Sequence, residues 1–211
     1  MHAHGRFSGG AVARRLEFFF DYGSPYSYVA NAQLPAGVAR TGAALVYRPM
    51  LLGGVFKATG NRSPAAEPIE PKRRYGGLTL LRYAAEAGVA FRPNPHFPID
   101  TLFLMRCAIA AQRAGVFDRF HARVYPAFWA EGANLGDRDV LRGVLSNADL
   151  DAAALFEAAE HPEVKAALRA NTDEAVARGA FGAPTFFVGD ELFFGSDHLR
   201  FAWRALEAQP A

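Results

Sequence analysis

The chain has 211 residues, 51% of them hydrophobic and 21% charged, which is enough to bury a sizeable core and lies outside the low-hydrophobicity range of disordered proteins. Its 23 basic and 21 acidic residues leave a net charge of +2, and only Lys72, Arg73 and Arg74 form a basic run, so the pattern excludes a nucleic-acid footprint. The single cysteine, Cys107, excludes an intramolecular disulfide, a CxxC redox pair and a cysteine-based metal cluster, and fits a reducing cytoplasm.

Residues 1–14 read as a flexible tail, with His2 and His4 as terminal residues rather than metal ligands. They hold no apolar stretch of the kind a secretory signal needs. Nowhere do about 18 apolar residues run together, so no membrane-spanning helix is expected. Residues 16–20 form a short apolar run bounded by Asp21 and Gly23, the pattern of a buried strand. Ser24-Pro25 then opens a helix, because serine is a favoured N-cap and proline suits the first helical position, where no amide donor is needed. Pro35 is expected to end or kink that helix. A second strand follows over 44–48, after the Thr41-Gly42 break.

The central hundred residues read almost wholly as helix, with segments near 72–87, 100–114, 117–130, 137–145 and 161–178 and stops at Gly88 and Gly115. Asn61 to Pro71 reads as a loop and a natural hinge. The stripe of Leu102, Phe103, Met105, Cys107 and Ile109 reads as core, with Cys107 a small buried hydrophobe. Residues 185–188 and 191–194 are aromatic-rich runs separated by Gly189-Asp190, a hairpin signal. After Gly195, Ser196 and Asp197, the positions Leu199, Ala202, Trp203 and Leu206 follow a helical period. The order β-α-β, then β-β-α, with helices between, predicts an α/β protein. It has a thioredoxin-like domain built from 15–60 and 180–211 and an inserted all-helical domain over 61–179.

Two landmarks of that fold carry chemistry. The start of the first helix holds Ser24 and Ser27 where a redox enzyme keeps cysteines. A helix N-terminus carries open amide donors and about half a positive charge, so it stabilises an anion. Without a cysteine there, a thiolate must arrive on a ligand, and Ser24 can donate a hydrogen bond to it and lower its pKa. Taken alone, Ser24-Pro25 is also a plain helix cap. The second landmark is Gly182-Ala183-Pro184-Thr185. If Pro184 is cis rather than an ordinary trans turn proline, the Ala183 backbone can pair with an extended peptide such as glutathione. Ser196-Asp197 serves equally as an N-cap and as a place for the charged end of such a peptide.

The segments FFFDYGSPYSYVAN (18–31) and FGAPTFFVGDELFFGSDHL (181–199), with GGVFKATGN (53–61) and FPIDTL (97–102), resemble 2-hydroxychromene-2-carboxylate isomerases. Those proteins are similar to kappa-class glutathione transferases and share a DsbA-like thioredoxin fold. The resemblance implies a homodimer with glutathione as cofactor and Ser24 as the catalytic residue beside its thiol. It further implies glutathione contacts from Lys57, Ala183, Pro184, Ser196 and Asp197, and a small aromatic carboxylate substrate held by Tyr26, Lys57, Asn61 and Asp100. From sequence alone Lys57 is otherwise a solvated surface lysine. The implied reaction is reversible thiolate addition that interconverts the chromene carboxylate and its open benzalpyruvate form.

Two departures bear on the substrate: Asp100 stands where many relatives carry asparagine, and His198 where many carry arginine. A kappa-type transferase or peroxidase and a glutathione-binding module without turnover are the alternatives. A disulfide oxidoreductase is disfavoured by serine at both 24 and 27.

Overall fold

The structure, a computed structural model, describes residues 14–209, so the expected tail lies outside them except for Arg14. A four-stranded sheet in the order β2-β1-β3-β4 forms the centre, from β1 (Arg15–Phe20), β2 (Ala44–Pro49), β3 (Thr185–Val188) and β4 (Glu191–Phe194). β1 pairs parallel with β2 and antiparallel with β3, and β3 pairs antiparallel with β4. Helix α1 (Pro25–Thr41) crosses from β1 to β2, and α9 (Leu199–Ala208) follows β4. Between β2 and β3 run α2 (Leu52–Thr59), a short 3-10 turn (Pro64–Ala66), α3 (Glu70–Glu86), α4 (Leu102–Arg113), α5 (Phe117–Trp129), α6 (Arg138–Ser146), α7 (Ala152–Ala159) and α8 (Pro162–Ala177). This is the thioredoxin-like fold with a helical insertion.

β1 sits between two partners, and its second half is buried on both faces, which is why Phe18, Phe19 and Phe20 form a continuous aromatic run while Arg15, Leu16 and Glu17 still alternate. Alternate side chains still go to opposite faces. Leu16, Phe18 and Phe20 enter the main core with α4, α5 and α9, while Phe19 packs with Val55 of α2, Ala175 of α8 and Phe187 of β3. The Phe18 ring stacks on Phe186 at 5.0 Å between centroids. Cys107 is fully buried in the main core, and burial pushes its thiol up to about 12.

Helix α1 does not end at Pro35. It continues to Gly42, whose left-handed φ of 66° closes it. Pro35 lies on the exposed side, and the burial of Ala30, Leu34 and Gly37 on the other side outweighs one lost backbone hydrogen bond. Gly88 and Gly115 take left-handed φ values of 68° and 69° just past α3 and α4, as their sequence positions predict. Two helices were not legible in advance, α2 and α7, and the loop expected over 61–71 contains the 3-10 turn and the first residues of α3.

Candidate active site

Ser24 caps α1 at the end of β1 and is almost wholly buried. Its Oγ accepts from Ser27 N–H at 3.1 Å and donates to the Ala183 carbonyl at 3.0 Å, so the two sequence landmarks, 159 residues apart, are in direct contact. The Ala183-Pro184 peptide is cis. Tyr28 N–H donates to the Ser24 carbonyl, Pro25 has no amide hydrogen, and Tyr26 N–H is left as the first-turn donor with no partner among the described residues. Ala183 N–H likewise makes no hydrogen bond among the described residues.

The Pro184 carbonyl accepts from Gly195 N–H at 3.0 Å and so fixes the Ser196-Asp197 corner beside the second landmark. Gly195 has a φ of 97°, and a Cβ there would meet Asp197 Oδ1 at 2.6 Å, so the corner needs glycine. Ser196 is buried and its hydroxyl has no hydrogen-bond partner among the described residues. Asp197 is exposed. It lies close enough to the half-buried Tyr26 and to Tyr83 of α3 to help burial raise both phenols above their ordinary value.

The remaining expected site residues lie further out. Lys57 is exposed on the last turn of α2 and makes no hydrogen bond or ion pair among the described residues. Asn61 is exposed, and its amide is engaged locally: Nδ2 donates to the Phe181 carbonyl at 2.7 Å and Oδ1 accepts from Arg62 N–H at 2.8 Å. Asp100 accepts from Leu102 N–H at 2.8 Å, at the lead-in to α4. A groove of about 690 Å³ along Gln33, Arg40, Trp203 and Glu207 shares none of these residues.

The protein family described as the DSBA-like thioredoxin domain matches residues 15–207, nearly the whole chain. The chain belongs to that family. Within this DSBA-like family it is 32% identical to a 2-hydroxychromene-2-carboxylate isomerase of Sphingobium xenophagum, covering 90% of this chain and 96% of that one. It is 31% identical to glutathione S-transferase kappa 2 of Caenorhabditis elegans, covering 87% and 88%. Among solved structures, a 2-hydroxychromene-2-carboxylate isomerase superposes with a TM-score of 0.75 at 26% identity over 90% of this chain and 93% of that chain.

Next to the site, the DSBA-like chain also holds two buried residues whose connections sequence reasoning missed. Asp21 is fully buried and accepts from Gly23 N–H and Leu52 N–H, both at 2.8 Å, and from Thr101 Oγ1 at 3.0 Å. It thereby joins the starts of α1, α2 and α4. Burial raises its carboxyl, and the three donors oppose that rise. Tyr22 donates or accepts at three points: N–H to Met105 Sδ at 3.4 Å, hydroxyl to His121 Nδ1 at 2.8 Å, and carbonyl from Trp129 Nε1 at 2.8 Å. An acid residue at a strand end is a weak signal for the first. For the second, nothing local announces it.

His121 is buried, and desolvation lowers it from 6.5 to about 3, so the folded protein holds a neutral imidazole where the unfolded chain binds a proton below pH 6.5. The folded state therefore binds fewer protons, and this contribution to stability is full above pH 6.5 and falls as the pH drops towards 3. The expected slope approaches about 1.4 kcal/mol per pH unit within that window. Asp21, with its raised carboxyl, acts in the opposite sense. Urea unfolding from pH 7 down to pH 4 checks this: His121→Gln should flatten the acid loss, and an unchanged pH profile would exclude His121 as its source.

Proposed function

We propose that this protein is a glutathione-dependent isomerase that interconverts 2-hydroxychromene-2-carboxylate, or a related aromatic ring-cleavage carboxylate, and its open benzalpyruvate form. The observation that carries the reading is a serine hydroxyl, with no cysteine beside it, at the N-cap of α1 and 3.0 Å from the carbonyl that precedes Pro184. Such a site is equipped to receive a thiol rather than to supply one.

The residues fit glutathione on two further counts. Ser196 presents a buried hydroxyl without a partner among the described residues, and Ala183 offers an uncommitted N–H, as a docked peptide requires. When bound, glutathione supplies a thiolate that adds to the conjugated substrate and is expelled again after rotation. Ser24 turns its hydroxyl from Ala183 O to the sulfur and stabilises the anion, aided by Tyr26 N–H and the end of α1. The Ala183 carbonyl is then open to an N–H of the peptide, and Pro184 holds it in place. Ser196 and Asp197 hold the γ-glutamyl end, with the Asp197 carboxylate pairing its amine. Lys57 neutralises the carboxylate that glutathione or the substrate brings to the end of α2. Tyr26 bounds the substrate side. Asn61 holds the loop of Phe181 while facing the substrate, and Asp100 limits how much negative charge that side accepts.

The test is the absorbance change of 2-hydroxychromene-2-carboxylate with purified protein, with and without glutathione far below the substrate concentration. Turnover that needs glutathione yet exceeds its amount supports the isomerase. Conjugate formation with glutathione consumed would instead support a kappa-type transferase, the reading favoured by the 31% identity to the worm protein. Binding without turnover would leave a binding module.

Residues 61–179 would form an inserted helical domain beside this site, in a protein of the cytoplasm. A homodimer is also part of the proposal. Of the six large hydrophobic residues exposed among those described, Ile69, Tyr75, Leu78 and Leu81 lie on α3 or directly before it, a face that a second copy would cover. Analytical ultracentrifugation should give twice the chain mass for the wild type and a monomer for a Tyr75→Glu/Leu78→Glu variant. A monomeric wild type would overturn the dimer.

A further inference from the structure

We infer that His121 and Tyr22 are positioning residues for Ser24, through which the helical insertion sets the placement of the reacting hydroxyl. This rests on the function proposed above for Ser24 and adds residues that lie outside the site.

The argument starts from connectivity. Tyr22 precedes Ser24 by two residues, and its amide, carbonyl and hydroxyl are all held by side chains of α4 and α5: Met105, Trp129 and His121. The short segment that delivers Ser24 to the head of α1 is thus fastened to the insertion, 83 to 107 residues away in sequence. His121 also reaches the helix itself, because its Nε2 lies 2.8 Å from Asn31 Oδ1 on α1. An amide oxygen only accepts, so Nε2 carries the ring proton and Nδ1 accepts from the Tyr22 hydroxyl. One flat ring therefore ties the segment before Ser24 to the helix after it.

The surroundings make the polarity of that ring informative. His121 lies among Phe20, Tyr47, Phe117 and Tyr125, with ring centroids 4.7 to 5.2 Å away. A leucine or phenylalanine would fill such a box without burying polar atoms, which are unfavourable there unless hydrogen-bonded. What the imidazole adds is two opposed hydrogen bonds, and both end on the elements that flank Ser24. The adjoining Asp21–Thr101 hydrogen bond fastens the same segment to the start of α4.

Tyr22→Phe tests this, because it keeps the ring and removes only the hydroxyl. With the isomerase assay, the expected result is a five- to twenty-fold lower kcat with KM within two-fold. Hydrogen exchange of the free protein should also quicken over residues 22–28 and stay unchanged in the β3–β4 hairpin. In a Ser24→Ala background the same substitution should change kcat less than two-fold, since no hydroxyl remains to be placed. Equal loss in both backgrounds, or unchanged exchange over 22–28, would overturn the inference. If the wild type fails to turn over the chromene, the functional reading has failed, and exchange over 22–28 alone then decides whether the insertion holds this segment.

Discussion

Ser24→Ala is expected to fold, to keep much of its affinity for glutathione, and to lose roughly 2–4 kcal/mol of transition-state stabilisation, about 30- to 1000-fold in rate. The fold survives because the lost cap involves one hydrogen bond, from Ser27 N–H, for which Ser→Ala costs about 1 kcal/mol. Affinity is expected to survive because the contacts proposed for Ala183, Ser196 and Asp197 remain. The rate falls because Ser24 offers the side-chain donor at the head of α1, and its proton, resting on the Ala183 carbonyl, has to move to wherever negative charge collects. Steady-state kinetics and calorimetry on the same preparation separate the two effects. An unchanged rate would remove Ser24 from the mechanism, whereas lost binding would make it an anchor for the ligand rather than an activator.

Asp21→Ala should be the more damaging change for stability. Its carboxylate is buried and accepts three hydrogen bonds, so truncation leaves Gly23 N–H, Leu52 N–H and Thr101 Oγ1 without their acceptor. Each unsatisfied donor costs about 1–3 kcal/mol, which places the sum at 3 kcal/mol or more. For a domain of this size that lowers Tm by about 6–12 °C. Asp21→Asn should fall between the two. Its one oxygen can face Leu52 and Thr101, while its NH2 would point at Gly23 N–H. Calorimetric melting of the three proteins checks the order, and an Asp21→Ala protein melting within about 2 °C of wild type would mean that water replaces the carboxylate at no loss.

What the sequence made legible follows from the range of the interactions involved. The start of α1 was readable because a serine cap and a proline at the first helical position act within one turn, and the ends of α3 and α4 were readable because Gly88 and Gly115 adopt a conformation other residues avoid. Helix α2 was not, since Gly53 and Gly54 give it poor intrinsic propensity and its stability comes from Val55 packing against Phe19 and α8. Helix α7 carried a usable sign in Asp151, which caps it through Ala154 N–H, but its run of alanines has little periodicity to read.

The site divides the same way. Ser24 and Pro184 were visible as local patterns, and so was the Ser196-Asp197 corner. Asp21 and Tyr22 were in view as letters, yet Thr101 and His121, which they meet, stand 80 and 99 residues away, where only the folded chain brings them together.

The burial of Cys107 has a practical consequence. Its thiol is shielded from solvent and burial pushes its ionisation up to about 12, so the protein contributes no reactive thiol of its own at neutral pH. Thiol-alkylating reagents added to a mixture of protein and glutathione will report on the tripeptide alone. The ionisation of a bound thiol can therefore be titrated directly by its alkylation rate, without first mutating the protein to silence a background.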